Sequence, residues 1–275
     1  MRYINKFILF ILLLMMSAEM KAQDFVPETY WRDVNFNDTS LVSSNSFSHK
    51  MIDFLYQYAC CEEERFDSLT ISGVGMILDK AKVNMRVYEY AIGYLLNGYT
   101  AMGKSKVVDY LLTYPMLFEG EISVEEGLRL DSITEPYQKV RVGAQAPDFE
   151  GVSVDGKTYH LFDSEAKNVL VVFWSTDCEY CHDFLKSIRK HLNLKSDYEL
   201  VTFALADSLE EVKHAAKQLR LPGFHFYDPQ RWESKPFLDY HVTSTPTVFL
   251  LDNDKNIVCK PYDWFELKLY INDNK

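Results

Sequence analysis

From Gln23 to about Glu135, apolar residues return at helical spacing, with no sustained alternation of the kind a strand needs. Val87, Tyr88, Ala91, Ile92, Leu95, Tyr99 and Met102 share one face of a 3.6-residue period. This predicts a helix over Met85–Met102, with Asn84 to cap its start and Gly103 to end it. Met51–Ala59, capped by Ser48, and Lys106–Tyr114 predict two further amphipathic helices. The tyrosine-rich stripes read as core. Gly73-Val74-Gly75 does not continue as GxGxxG, so it reads as a turn or a local helix defect.

Around Ile133–Pro147 the rhythm fades, punctuated by Pro136 and Pro147, and the domain boundary is expected there. It separates an all-α domain over 23–138 from an α/β domain over 139–275. In the second region Val152–Val154 and Thr158–Leu161 flank the hairpin signal Asp155-Gly156. The unbroken apolar run Asn168–Trp174 suits a central strand with both faces buried. A helix with Phe184, Leu185, Ile188 and Leu192 on one face follows, then a buried strand over Leu200–Ala206 and a helix over Leu209–Leu219. Thr247–Leu251 and Ile257–Lys260 bracket a turn as a second hairpin, and Trp264–Ile271 forms a terminal helix. Such alternation predicts a sheet with helices on its faces.

Residues 1–22 have the form of a cleavable signal peptide. Arg2 and Lys6 precede the apolar run Phe7–Met16, and small residues lead to a cleavage point near Ala22. The run is short for a membrane span, and no second apolar stretch reaches about 18 residues. The expectation is a periplasmic protein that is not integral to the membrane after cleavage. Cleavage removes Arg2, Lys6 and Lys21 against Glu19, lowering the net charge of −11 by two. A chain this acidic lacks the basic surface that nucleic acid requires, so no nucleic-acid partner is expected. Its five cysteines are too few for a disulfide scaffold, and being odd in number they leave at least one thiol unpaired within the chain.

One constellation carries chemistry. Cys178-Glu179-Tyr180-Cys181 opens a helix straight after the buried strand that ends Trp174-Ser175-Thr176-Asp177. Two cysteines three apart at a helix start can form a disulfide within one turn, and the helix dipole favours a thiolate on the first sulfur. The second sulfur lies one turn deeper, so Cys178 is expected to attack and Cys181 to resolve the mixed disulfide. Asp177, Glu179 and Asp183 crowd the motif with negative charge, which opposes a thiolate and suggests a potential toward the reducing end.

With Val142-Gly143-Ala144-Gln145-Ala146-Pro147-Asp148-Phe149, Asp155-Gly156-Lys157, Phe173-Trp174-Ser175 and Ser244-Thr245-Pro246-Thr247, this motif resembles the thioredoxin-like superfamily, specifically the exported TlpA/ResA type. The preceding region resembles a helical domain of unassigned function found before thioredoxin domains in Bacteroidetes envelope proteins. The first resemblance implies a thioredoxin fold from about Val142 onward and a redox-active Cys178–Cys181 disulfide. It also implies a cis Pro246 that, with Thr245, aligns a substrate strand. It further implies protein disulfides as substrates, a membrane thiol transporter as electron donor, and no bound cofactor, since the sulfurs carry the electrons. Trp174 is expected under the motif and Tyr180 exposed toward partners.

Two family proton relays do not carry over. The buried Asp position of thioredoxins is Val172 here, and the Glu position of the ResA type is Phe184. His182, Asp183 and Glu179 are the nearest titratable substitutes, and the sequence does not choose among them. An alternative is a redox-inert or sensing module that uses the same fold for binding. Cys178–His182 also spells CxxCH, a c-type haem signal, but no methionine follows Met116 to serve as the usual axial ligand. A zinc site would need a second ligand pair, and only Cys259 follows the motif, so no metal is expected. Cys60, Cys61 and Cys259 read as free thiols.

Overall fold

The helical rhythm of the first region appears as α1 (Pro27–Tyr30), α2 (Asn45–Ala59), α3 (Phe66–Ala81), α4 (Met85–Ala101), α5 (Ser105–Thr113) and α6 (Val124–Lys139). The computed structural model describes residues 26–43, 45–59, 66–113, 122–194 and 197–274. Residues 1–22, where a signal peptide is expected, and both Cys60 and Cys61 lie outside the described residues. The chain divides into two compact units. One holds the described residues up to Thr100 together with Lys106–Leu130, and the other holds Ala101–Ser105 and Asp131 onward.

In the first unit an aromatic cluster fastens α1 to α2, with the Trp31 ring 5.1 Å from that of Phe54 and 5.6 Å from that of Phe36. Asn84 accepts the Arg86 backbone N–H at 3.1 Å, and Gly103 takes a left-handed φ of +67° just past α4, so both ends of that helix follow the sequence reading. Three local readings are corrected. Ser48 lies inside α2, buried, and its hydroxyl donates to the Asn45 carbonyl at 2.9 Å; the helix begins earlier than its apolar face suggested. Gly73 and Gly75 sit within the continuous helix α3, with no turn or defect. A Cβ at Gly73 would lie 3.0 Å from Leu55 and 3.2 Å from Tyr58, so the missing side chain admits α2 at close range. Pro136 lies inside α6, which continues to Lys139; a proline there removes one backbone bond without ending the helix.

The second unit is built on a five-stranded sheet of β3 (Val169–Ser175), β4 (Glu199–Leu205), β5 (Phe224–Tyr227), β6 (Thr247–Leu251) and β7 (Ile257–Cys259). Its strand order is β5-β4-β3-β6-β7. β3, β4 and β5 run parallel, while β6 and β7 run antiparallel to their neighbours. A separate hairpin pairs β1 (Glu150–Val152) with β2 (Thr158–His160), and Gly156 takes φ +82° in its turn. β3 is central and buried along its length, because alternate residues serve two cores. Val169, Val171 and Phe173 join Phe203, Phe249 and Tyr240 on one face. Leu170, Val172 and Trp174 join residues of α7 (Glu179–His191), α8 (Leu209–Leu219) and α10 (Trp264–Asp273) on the other. A short helix α9 (Lys235–Asp239) precedes β6. Among the described residues no helix is long and apolar enough to cross a membrane.

β5 was not expected. Its four residues, Phe-His-Phe-Tyr, are too few to show a period, and pairing with β4 decides their conformation. Gly223 delivers the chain to that edge with φ +100°, where any Cβ would overlap the Leu200 carbonyl oxygen. His225 is buried there and satisfied, its Nδ1 2.9 Å from the Thr202 hydroxyl and its Nε2 3.3 Å from the Leu221 carbonyl. It is a core group.

Candidate functional site

β3 ends at Ser175, and three residues later Cys178 caps α7 in an extended conformation, φ −93° and ψ 101°. The turn is local: the Cys178 N–H donates to the Ser175 carbonyl at 3.1 Å. The Cys178 Sγ accepts the Cys181 N–H at 3.1 Å, so the sulfur occupies the place of a capping oxygen at the positive end of the helix dipole. Cys178 and Cys181 form a disulfide, with Cα atoms 5.2 Å apart. The two sulfurs differ in access: Cys178 is half-buried, whereas Cys181 is 0% exposed, within the core formed with Trp174 and Phe184.

The strand register brings a second element to this end of the sheet. Thr247 lies opposite Phe173, so the residues before it approach the end of β3 that leads into the cysteine pair. The Thr245–Pro246 peptide bond is cis. The Thr247 hydroxyl donates to the Ser244 carbonyl at 2.7 Å and braces that turn.

The remaining motif residues sort by burial. Trp174 is fully buried beneath α7, with its ring 5.8 Å from that of His182. Asp177, Glu179 and Asp183 are exposed, and Asp183 pairs with Lys186 at 2.9 Å. Tyr180 is 52% exposed. Partial burial, then Asp263, Tyr262 and Glu266, push its hydroxyl pKa upward, keeping it a neutral donor. Val172 and Phe184 are buried and apolar, so neither family relay position carries a carboxylate.

Sequence reasoning missed one residue beside the motif. Glu211, in the first turn of α8, accepts the Thr176 hydroxyl with one carboxylate oxygen and the Asp207 N–H with the other, the latter at 3.0 Å. Ser208 caps the same helix through the Glu211 N–H at 3.2 Å. Ser208-Leu209-Glu210-Glu211 is a capping-box pattern, which would have flagged the helix start but not the link across to Thr176.

Cys259 lies on the edge strand β7, half-buried and free. Burial, with Glu266 nearby, pushes its thiol pKa up to about 12, so it is a poor nucleophile at neutral pH.

A mixed sheet whose central strand delivers a cysteine pair to a helix N-terminus, with a cis proline opening the neighbouring antiparallel strand, defines a thioredoxin-fold protein. Residues 142–260 match the model of the AhpC/TSA family. Over 125 residues the chain is 30% identical to the thiol-disulfide oxidoreductase ResA of Bacillus cereus, covering 45% of this chain and 70% of that protein. Over 122 residues it is 29% identical to the thioredoxin-like protein YneN of Bacillus subtilis, covering 43% of this chain and 69% of that one. The crystal structure of a thioredoxin-like protein from Bacteroides caccae superposes with a TM-score of 0.62 at 17% identity, over 93% of this chain and 97% of its own, which shows the fold. The chain belongs to the AhpC/TSA thioredoxin-like family and is related by homology to its thiol-disulfide oxidoreductases.

Proposed function

We propose that this protein is an exported thiol:disulfide oxidoreductase that reduces protein disulfides through Cys178 and Cys181. The observation that carries the reading is the asymmetry of the pair: one sulfur accessible at a helix N-terminus and the other buried one turn below. In the reducing direction the Cys178 thiolate attacks one sulfur of a substrate disulfide. A Cys178–substrate bond forms, and the second substrate sulfur leaves as a thiolate that takes up a proton. Cys181 then gives up its proton and attacks the Cys178 sulfur. The intramolecular disulfide forms, and the substrate departs with both cysteines reduced. Thr245 and Pro246 align the substrate strand, and Tyr180 meets it at the rim. A dithiol donor, here a membrane thiol transporter, returns the two electrons and two protons. Residues 1–22 direct the chain to the periplasm and are removed near Ala22. The helical region 23–138 is a separate domain ahead of the thioredoxin-like region 139–275.

The test is insulin reduction by dithiothreitol with the parent and Cys178→Ser. The parent should accelerate the reaction and the variant should not; equal rates would favour a redox-inert binding module. Cys181→Ser should accumulate mixed disulfides that identify substrates. A potential near that of thioredoxin, about −270 mV, is expected, and one more positive than about −150 mV would sink the reducing assignment.

A further inference from the structure

We infer that His182 is the charge partner of the Cys178 thiolate, holding the proton that this sulfur gives up when the pair is in its dithiol form. The inference rests on the exchange reading above and concerns the same site. His182 follows Cys178 by four residues: Cys178 caps α7, and His182 lies in the first turn that this cap opens. Its backbone N–H donates to the Cys178 carbonyl at 3.1 Å, fixing that turn. The imidazole packs edge-on toward Trp174, and its Nε2 is sealed from solvent with no hydrogen-bond partner among the described residues.

The oxidation state accounts for that buried nitrogen. In the disulfide neither sulfur carries a charge, so it offers the imidazole little to bond. Reducing the Cys178–Cys181 bond takes two electrons and two protons from the dithiol donor. One proton stays on the Cys181 sulfur. The other passes from Cys178 to the imidazole, leaving a thiolate beside an imidazolium.

The surrounding charges make such a cation useful. Helix α8 contributes Glu211, already bound to Thr176. The start of α10 contributes its cap Asp263 and Glu266, both of which act on Tyr180. Asp177, Glu179 and Asp183 are on the motif or its own helix, and β3 presents uncharged Trp174. These acids oppose a bare thiolate. Lys186 is engaged with Asp183, and Arg189 is nearly two further turns along α7. His182 is the cationic group one turn from the sulfur.

The experiment uses the full-length chain with Cys60, Cys61, Cys181 and Cys259 changed to Ser, so that Cys178 is the one thiol. Its alkylation by iodoacetamide is followed from pH 5 to 9, with and without His182→Gln. The inference expects the rise in rate to move up by about one pH unit in the variant, a roughly tenfold slower reaction near pH 6. His182→Lys should restore part of it. Superimposable profiles would overturn the inference. Should His182→Gln fail to fold, the parent protein decides. Its His182 proton resonance, followed by NMR, should titrate at higher pH in the reduced form than in the oxidised form, and identical titrations overturn the inference. The exchange reading fails separately, if Cys178→Ser leaves insulin reduction unchanged.

Discussion

Replacing Glu211 by Ala removes the carboxylate that ties the loop before the cysteine pair to the start of α8. Two hydrogen bonds go with it, one from the half-buried Thr176 hydroxyl and one from the exposed Asp207 N–H. Bonds to a charged acceptor are worth ~1.5–3 kcal/mol when buried and less when open to water. Taking ~1.5 for Thr176 and ~0.5 for Asp207 gives a loss of about 2 kcal/mol. In a protein of this size that lowers the melting temperature by roughly 4–8 °C. Thr176→Val removes the first bond and also the hydroxyl's bond to the Leu205 carbonyl at 3.2 Å, and should cost about 2 kcal/mol. Scanning calorimetry of the oxidised parent, both single variants and the double variant closes the cycle. In the Glu211→Ala background, Thr176→Val should cost only about 0.5 kcal/mol more, the share of the Leu205 bond, a coupling of ~1.5 kcal/mol. Strictly additive losses would refute the reasoning, because they would mean the two side chains do not act on one another.

The two left-handed glycines of the second unit should differ. Gly156→Ala, in open space at φ +82°, should cost ~1 kcal/mol in urea denaturation, whereas Gly223→Ala adds an overlap with the Leu200 carbonyl and should cost well over ~2. Equal midpoints would contradict the packing described at β5. Burial lowers the pKa of both His225 and His241. A depressed folded-state pKa means that the unfolded chain binds more protons. Their contribution is therefore present above the ordinary histidine value of ~6.5 and is lost as pH falls below it. His160 has the opposite sign, raised by Asp148 and Asp163, but is exposed. Thermal scans from pH 7.5 to 5 should show stability declining with acidity, and His225→Gln should flatten that decline; an unchanged slope would refute the assignment. Finally, in a Cys60→Ser/Cys61→Ser background, the oxidised protein should react slowly with a thiol reagent at pH 8 and rapidly once unfolded in urea. Prompt native reaction would contradict the burial of Cys259.

Much of this architecture is legible one segment at a time. Asn168–Trp174 announces a central strand because both faces of β3 need apolar side chains, and Leu209–Leu219 matches α8 from end to end. The cysteine pair is legible for a similar reason: a disulfide within one turn depends on spacing along one helix and on the strand before it. What failed was set by contacts distant in sequence. β5 is too short to show a period and exists because β4 offers it an edge. Gly73 and Gly75 carry the local signature of a turn, yet close approach to α2 and to Tyr110 explains them inside a helix. Ser48 is the local exception: it has the side chain of a cap but lies three residues inside the helix, bonded back to Asn45.

By itself, then, the sequence determined the all-α and α/β halves and the place of Cys178 and Cys181, since hydrophobic period and spacing along one helix are local properties. Only the tertiary structure decided how those sulfurs are surrounded. It brought Glu211 across to Thr176 and set His182 against Trp174 while leaving Asp183 and Glu179 in solvent. It also aligned the cis Thr245–Pro246 turn with the end of β3 through the pairing of β6. The physical reason is that burial and charge around a side chain are set by elements far away in the chain, and no local period records which of them will meet.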